Sequence, residues 1–224
     1  MRKLQLVVGG LAVLVAFLLV AVMACDGGGG EGEVEDQLRQ IVLQAEDVPT
    51  GFSLTDEVFS TNEESASAGE NPQERLAELQ RWGRILGYEV TYESDQPAVG
   101  GQTLLFLVHS AASMYESSEG ASASFTDAVE TARTTDWAAH FSVEPQYLET
   151  EELSISGLAD EAMWLRVKTE AQPGEQGFAF DMVILRQGPS RGSLQTGSFG
   201  TEESKQIVEE LARTQAQHMA SVVR

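Results

Sequence analysis

The central strand of the fold is predicted at Phe178-Ala179-Phe180-Asp181-Met182-Val183-Ile184-Leu185-Arg186-Gln187. It is almost wholly apolar up to Leu185, which is typical of a strand buried on both faces at the centre of a sheet. The turn-forming residues Gly188-Pro189-Ser190-Arg191-Gly192 follow, and Ser193 to Phe199 reads as another strand. Two strands joined by so short a turn predict an antiparallel hairpin.

Outward from this hairpin, further strands are indicated by runs that are apolar or alternate between apolar and polar residues. We expect five of them, at residues 52–59, 88–93, 103–114, 147–155 and 162–171. A turn around Gly100-Gly101 separates the second of these strands from the third. Strands in runs, joined by short connections, predict an antiparallel sheet.

Helices are indicated between the runs of strands by apolar residues at helical spacing. We expect four, at residues 34–45, 71–86, 118–140 and 201–223. In the second, Asn71 is the expected cap and Gly87 the expected stop. The polar stretch Ser60 to Glu70 has no periodicity and is predicted to be an exposed loop. Together these elements predict an α+β fold in which long helices cover one face of an antiparallel sheet, a two-layer sandwich.

This element order is similar to that of sensor-type domains carried by lipoproteins and receptor kinases of high-GC Gram-positive bacteria. The loose pattern Trp82-Gly83-Arg84-Ile85-Leu86-Gly87-Tyr88 adds to the resemblance. More distantly, the order resembles the PsbP and Mog1 folds. The resemblance implies an uncharacterised extracytoplasmic domain, and it assigns no functional residue.

The N-terminus has the pattern of an export signal, with Arg2 and Lys3 before an apolar run that ends at Cys25. Val22-Met23-Ala24-Cys25 resembles the lipobox of bacterial lipoproteins, which implies an acylated Cys25 and cleavage between Ala24 and Cys25. We therefore expect a signal peptide at 1–24, a Gly/Glu-rich tether at 25–35 and a single α+β domain at 36–224. The alternative is an uncleaved transmembrane anchor, because the run is nearly long enough to span a bilayer. Both place the domain outside the cytoplasm.

Composition excludes several function classes. The chain has 35 acidic and 14 basic residues, a formal net charge of −21. Removal of residues 1–24 would leave 12 basic residues and a charge of −23. Such a charge disfavours nucleic-acid binding. Acylation of Cys25, the only cysteine, would exclude disulfides and thiolate chemistry. The three histidines lack metal-ligand spacing, so we expect neither a metal nor a cofactor.

One local positive cluster stands out on this acidic chain, at the end of the second predicted helix. Arginines beside aromatic residues can recognise a carboxylate or phosphate. The alternative is structural, with Arg81 paired to Glu78, Arg84 paired to acids of neighbouring elements, and Trp82 packed in the core. The candidate residues for binding a ligand or partner are Arg81, Trp82, Arg84, Tyr88 and Tyr92.

A serine-hydrolase interpretation rests on Gly188-Pro189-Ser190-Arg191-Gly192, which matches G-x-S-x-G, with His218 further along the chain. That motif requires a strand before the serine and a helix after it, whereas a strand is predicted on both sides. The sequence therefore favours a lipid-anchored, non-enzymatic domain that binds a small ligand or an envelope protein. A hydrolase using Ser190 and His218, or a passive spacer without a pocket, remains the alternative.

Overall fold

The computed structural model describes residues 31–69, 71–94, 105–170, 177–199 and 202–223, with residues 31, 202 and 203 described in their backbone only. Ala24, Cys25 and the turn predicted at Gly100-Gly101 lie outside these residues. No helix within the described ranges is long and apolar enough to cross a bilayer.

Seven strands form one sheet in the order β1-β2-β3-β7-β6-β5-β4, and every neighbouring pair is antiparallel. Strand β6 lies between β5 and β7, so the central position predicted for the apolar stretch is confirmed. The strands are β1 (Phe52–Ser60), β2 (Arg84–Ser94), β3 (Leu105–Tyr115), β4 (Leu148–Leu153), β5 (Glu161–Thr169), β6 (Ala179–Gln187) and β7 (Ser190–Ser198).

Helices cover the sheet, and the predicted α+β class with an antiparallel sheet under long helices is confirmed. Val183 and Leu185 of β6 pack in one buried cluster with residues of the first and last helices. Helices also cover the other face of the sheet, where Ile184 packs with Val129 of the fourth helix and Trp137 of the fifth helix. The helices are α1 (Glu31–Ile41), α2 (Asn62–Ser67), α3 (Pro72–Arg81), α4 (Ser118–Thr134), α5 (Trp137–Phe141) and α6 (Glu202–Val222).

The prediction of an exposed loop at Ser60 to Glu70 is wrong, because α2 occupies most of that stretch. The Thr61 side chain accepts a hydrogen bond from the Glu64 amide, and the Glu64 carboxylate accepts one from the Thr61 amide. This capping box satisfies amides that a short helix otherwise leaves unpaired. It explains why a helix forms here without an apolar stripe.

The helix predicted at Asn71 to Leu86 is too long, because α3 ends at Arg81. Gly83 adopts φ +66° and turns the chain directly into β2. A glycine tolerates this left-handed conformation, which other residues disfavour. Ile85, which the predicted helix included, is instead on the strand and 43% exposed.

The single helix predicted at Ser118 to His140 is divided into α4 and α5. Thr135 has the extended values φ −60° and ψ 131°, which end α4. The Asp136 side chain then accepts a hydrogen bond from the Ala139 amide at 3.0 Å and caps the start of α5. The break brings Trp137 into the buried cluster beneath both helices.

Candidate functional site

The structure separates the predicted arginine cluster into an exposed and a buried residue. Arg81 is exposed at the end of α3, with its guanidinium carbon 6.0 Å from the Trp82 ring centre. Glu78 forms an ion pair with Arg75, at 3.0 Å between Oε2 and Nη1. The pair expected between Glu78 and Arg81 is not formed. Within the described residues Arg81 has no carboxylate partner. It keeps the exposed positive charge that the binding prediction requires.

Arg84 is buried, and its partners are neutral. It donates to the carbonyl and hydroxyl oxygens of Ser60 at 3.1 and 2.9 Å, to Asn62 Oδ1 at 3.1 Å and to Ser113 Oγ at 3.2 Å. Burial lowers the pKa of Arg84 to about 10. The acidic partners expected for Arg84 are therefore replaced by polar groups of β1, α2 and β3. Through these hydrogen bonds Arg84 connects β1, α2 and β3 to β2.

The two tyrosines of the predicted set lie on the opposite face of the sheet from Arg84, beside α1. Tyr88 stacks on Phe59 and donates to Glu57 Oε1 at 2.6 Å. Tyr92 donates to the Leu43 carbonyl at 3.1 Å. Both tyrosines are buried, so the five predicted residues do not form one surface. A binding role for the cluster stays a prediction, and it applies most directly to the exposed Arg81.

The hairpin interpretation of Gly188 to Gly192 is confirmed, because Gln187 pairs with Ser190 across a two-residue turn. Ser190 is fully buried at the start of β7 and donates to the Gln187 carbonyl at 2.8 Å. His218 places Nδ1 3.3 Å from the Val42 carbonyl oxygen and Nε2 3.9 Å from Asp47 Oδ2. A strand after the serine is the wrong context for a nucleophile elbow.

A cavity of about 420 Å³ lies between α4 and the edge of the sheet, where β4 ends and β5 begins. None of the predicted site residues contributes to it. Seven of its eleven lining residues are apolar, and the other four are Thr126, Arg133, Glu152 and Ser154. The apolar residues of the wall are Phe125, Val129, Leu153, Ile155, Ala162, Met163 and Trp164.

An ion pair connects the two sides of this cavity. Arg133 of α4 donates from Nε and Nη2 to the two carboxylate oxygens of Glu152 of β4, at 2.6 and 2.9 Å. The hydrogen bond from Arg133 lowers the pKa of Glu152 below its usual value. The side chains are 53% and 46% exposed, so they lie at the rim, where solvent reaches them. The bidentate geometry leaves the pair electrically neutral as a unit.

Trp164, one of the residues that line the cavity, is tied to a buried charge pair. Trp164 donates from Nε1 to Asp181 Oδ1 at 2.7 Å, and the Arg166 Nε atom lies 3.7 Å from the same oxygen. Arg166 also donates to Ser204 Oγ at the start of α6. Burial raises the pKa of Asp181, against the opposing effect of Arg166. The indole N–H of Trp164 therefore has its hydrogen-bond partner inside the protein.

Helical spacing identifies Phe125 and Val129 as inward-facing residues of α4, and this is the signal that sequence offers for the cavity. The void itself depends on β4 ending at Leu153, next to the point where β5 begins. Pairing of two strands at an edge is not encoded in the periodicity of either. The described residues hold no group of three or more His, Cys, Asp or Glu side chains suited to a metal ion.

No protein-family model matches the chain, and no curated protein matches it. Among solved structures, the chain is similar to the extracellular domain of PknH from Mycobacterium tuberculosis, with a TM-score of 0.49 and 10% identity. The match covers 82% of this chain and 96% of that one. The lipobox and the likeness to the PsbP and Mog1 folds stay predictions.

Proposed function

We propose that this chain is a non-enzymatic, extracytoplasmic domain, lipid-anchored through Cys25, that binds a small ligand in the cavity between α4 and the β4–β5 edge. The cavity volume of about 420 Å³ is the observation that carries the proposal. Ligand pockets typically measure ~300–1,000 Å³ and combine apolar walls with a few polar groups. A passive spacer needs no such concavity, so the cavity favours a binder.

Binding of the neutral apolar dye Nile red tests whether the cavity accepts a ligand. Thr126→Trp places an indole at the lining of the cavity, whereas Thr131→Trp makes the same change at an exposed position of α4 outside the lining. We expect saturable dye fluorescence with the unmodified protein and with Thr131→Trp, and at least about tenfold weaker binding with Thr126→Trp. Absence of saturable binding, or equal binding by all three, would show that the cavity is not a ligand site.

The proposed anchor is tested separately in cells. Cys25→Ser should abolish labelling by a palmitate analogue and prevent cleavage before residue 25. The unmodified chain is the control. If the variant is processed and retained at the membrane like the unmodified chain, the lipobox interpretation fails and the transmembrane alternative gains support.

A further inference from the structure

We infer that the cavity between α4 and the β4–β5 edge accepts an uncharged, largely apolar molecule. The inference rests on the proposed function and names its ligand class. The observation is a juxtaposition in the lining, where apolar side chains meet two charged side chains that already pair with each other. A ligand entering such a site finds surface to cover and few groups to pair with.

The two charged residues of the lining form an ion pair with each other. Arg133 and Glu152 form two parallel hydrogen bonds of 2.6 and 2.9 Å, so neither charge needs a partner from a ligand. An anionic ligand would have to displace Glu152 from Arg133, and a cationic ligand would have to displace Arg133 from Glu152. Either exchange replaces one solvent-exposed charge pair by another, and because such pairs contribute little, a charged head group gains little at the rim.

The other polar side chains of the lining also have hydrogen-bond partners within the protein, with one exception. Trp164 Nε1 donates to Asp181, away from the cavity, and Thr126 Oγ1 donates to the Ser122 carbonyl at 3.0 Å. Within the described residues, Ser154 Oγ has no hydrogen-bond partner. The lining therefore has one free hydroxyl, which suits a ligand with a single hydroxyl or carbonyl group on an apolar body.

The net charge of the chain also disfavours the binding of anions. A formal net charge of −21 produces a negative potential that lowers the local concentration of anionic ligands. A cation is attracted by that potential but meets the paired Arg133 at the rim. Burial of either charged type without a partner is unfavourable. The neutral ligand avoids both penalties.

A matched series of ten-carbon probes tests the ligand class. Decanol, decanoate and decylammonium share one chain and differ in the charge of the head group. Decanol is used below its solubility limit and the two charged probes below their micellar concentrations, to displace Nile red at pH 7.5. We expect decanol to displace the dye at a concentration at least about tenfold lower than either charged probe. Equal or better displacement by decanoate or decylammonium would overturn the inference.

Variants of the ion pair test the cause. Glu152→Gln releases Arg133 and should improve displacement by decanoate relative to decanol, whereas Arg133→Gln releases Glu152 and should improve displacement by decylammonium. Arg213→Gln, which breaks an exposed pair with Glu209 on α6, should leave the order of the probes unchanged. If the rim variants also leave the order unchanged, the ion pair does not set the ligand class and the inference is wrong. Failure of every probe and of the dye itself would contradict the proposed function instead.

Discussion

Trp164 donates from its indole nitrogen to Asp181 at 2.7 Å, a bond that joins the wall of the cavity to the buried charge of the sheet. The two residues lie on neighbouring strands, β5 and β6, and both are buried. Arg166 lies on the other side of the same carboxylate, 3.7 Å from Oδ1. The orientation of the indole therefore depends on a carboxylate that does not itself line the cavity.

Asp181 should stabilise the folded protein more at low pH than at neutral pH. This is opposite to the effect of a carboxylate whose pKa is lowered by an ion pair. Because burial raises its pKa, the folded state holds the proton more tightly than the unfolded state, whose Asp pKa is about 3.9. Its contribution to stability is greatest below about pH 4 and is lost as pH rises through the raised pKa. The measurement is urea unfolding of the unmodified protein and Asp181→Asn at pH 4 and pH 7. The free-energy difference, unmodified minus variant, should be larger at pH 4. A larger difference at pH 7 would show that Arg166 lowers the pKa of Asp181 more than burial raises it.

Gly120→Ala should destabilise the domain even though alanine is the better helix former. A Cβ at Gly120 would lie 1.9 Å from the Trp82 carbonyl oxygen, so α4 would have to move away from the turn before β2. Such overpacking costs about 1–3 kcal/mol. Gly32→Ala in α1 is the matched control, since its Cβ would meet nothing within 4 Å. That variant should be neutral or more stable by up to about 1 kcal/mol in thermal or urea unfolding. A stabilising Gly120→Ala would refute the close approach of α4 to Trp82.

Leu194→Ala should be among the most damaging core truncations. Leu194 is fully buried on β7 within the cluster beneath α1 and α6, and removal of such a side chain costs about 2–5 kcal/mol. Leu54→Ala makes the same chemical change on the edge strand β1, where the side chain is 48% exposed. We expect its cost to be no more than about 1 kcal/mol. Equal losses for the two variants in urea unfolding would argue against the sheet order described here.

Arg81 and Arg84 should respond differently to charge reversal. Arg84→Glu would bury a carboxylate among oxygen acceptors, and we expect it to cost about 3–5 kcal/mol or to prevent folding. Arg81→Glu, at the exposed end of α3, should change stability by no more than about 0.5 kcal/mol. Circular dichroism and thermal unfolding distinguish the two.

Because Arg81→Glu is expected to keep the fold, it is the variant with which to test the predicted binding role of the arginine cluster. Loss of partner capture from an envelope extract would support that role. Unchanged capture would assign the cluster to structure alone. A marked loss of stability in Arg81→Glu would contradict its exposed position.

The fold class was predictable because its signals are local. The apolar run in β6 and the Gly188-Pro189 turn lie within a dozen residues, and the structure forms the hairpin that they predict. Two errors came from competing local signals. In the polar stretch after Ser60, the lack of apolar periodicity outweighed the capping-box residues Thr61 and Glu64, which start a helix. In the next helix, the apolar pair Ile85-Leu86 continued the helical spacing beyond Gly83, where the chain turns.

The candidate site was not predictable in the same way. It requires α4, β4 and β5 to meet, and residues as distant as Phe125 and Trp164 share its wall. Sequence periodicity identifies the buried side of each element but not the gap left between two of them. The arginine cluster, by contrast, was visible in the sequence, but a pattern of residue types could not show that Arg84 is enclosed by hydroxyl and carbonyl groups.

The strand order has a spatial consequence for a domain anchored, as proposed, at its N-terminus. Helix α1 begins at Glu31, within the stretch predicted as the tether, and packs on β2 and β3, near one edge of the sheet, while the cavity lies beside β4 at the other. Six interstrand spacings of ~4.8 Å separate the two edges by roughly 29 Å. The strand order therefore separates the cavity from the helix through which the proposed anchor would hold the domain.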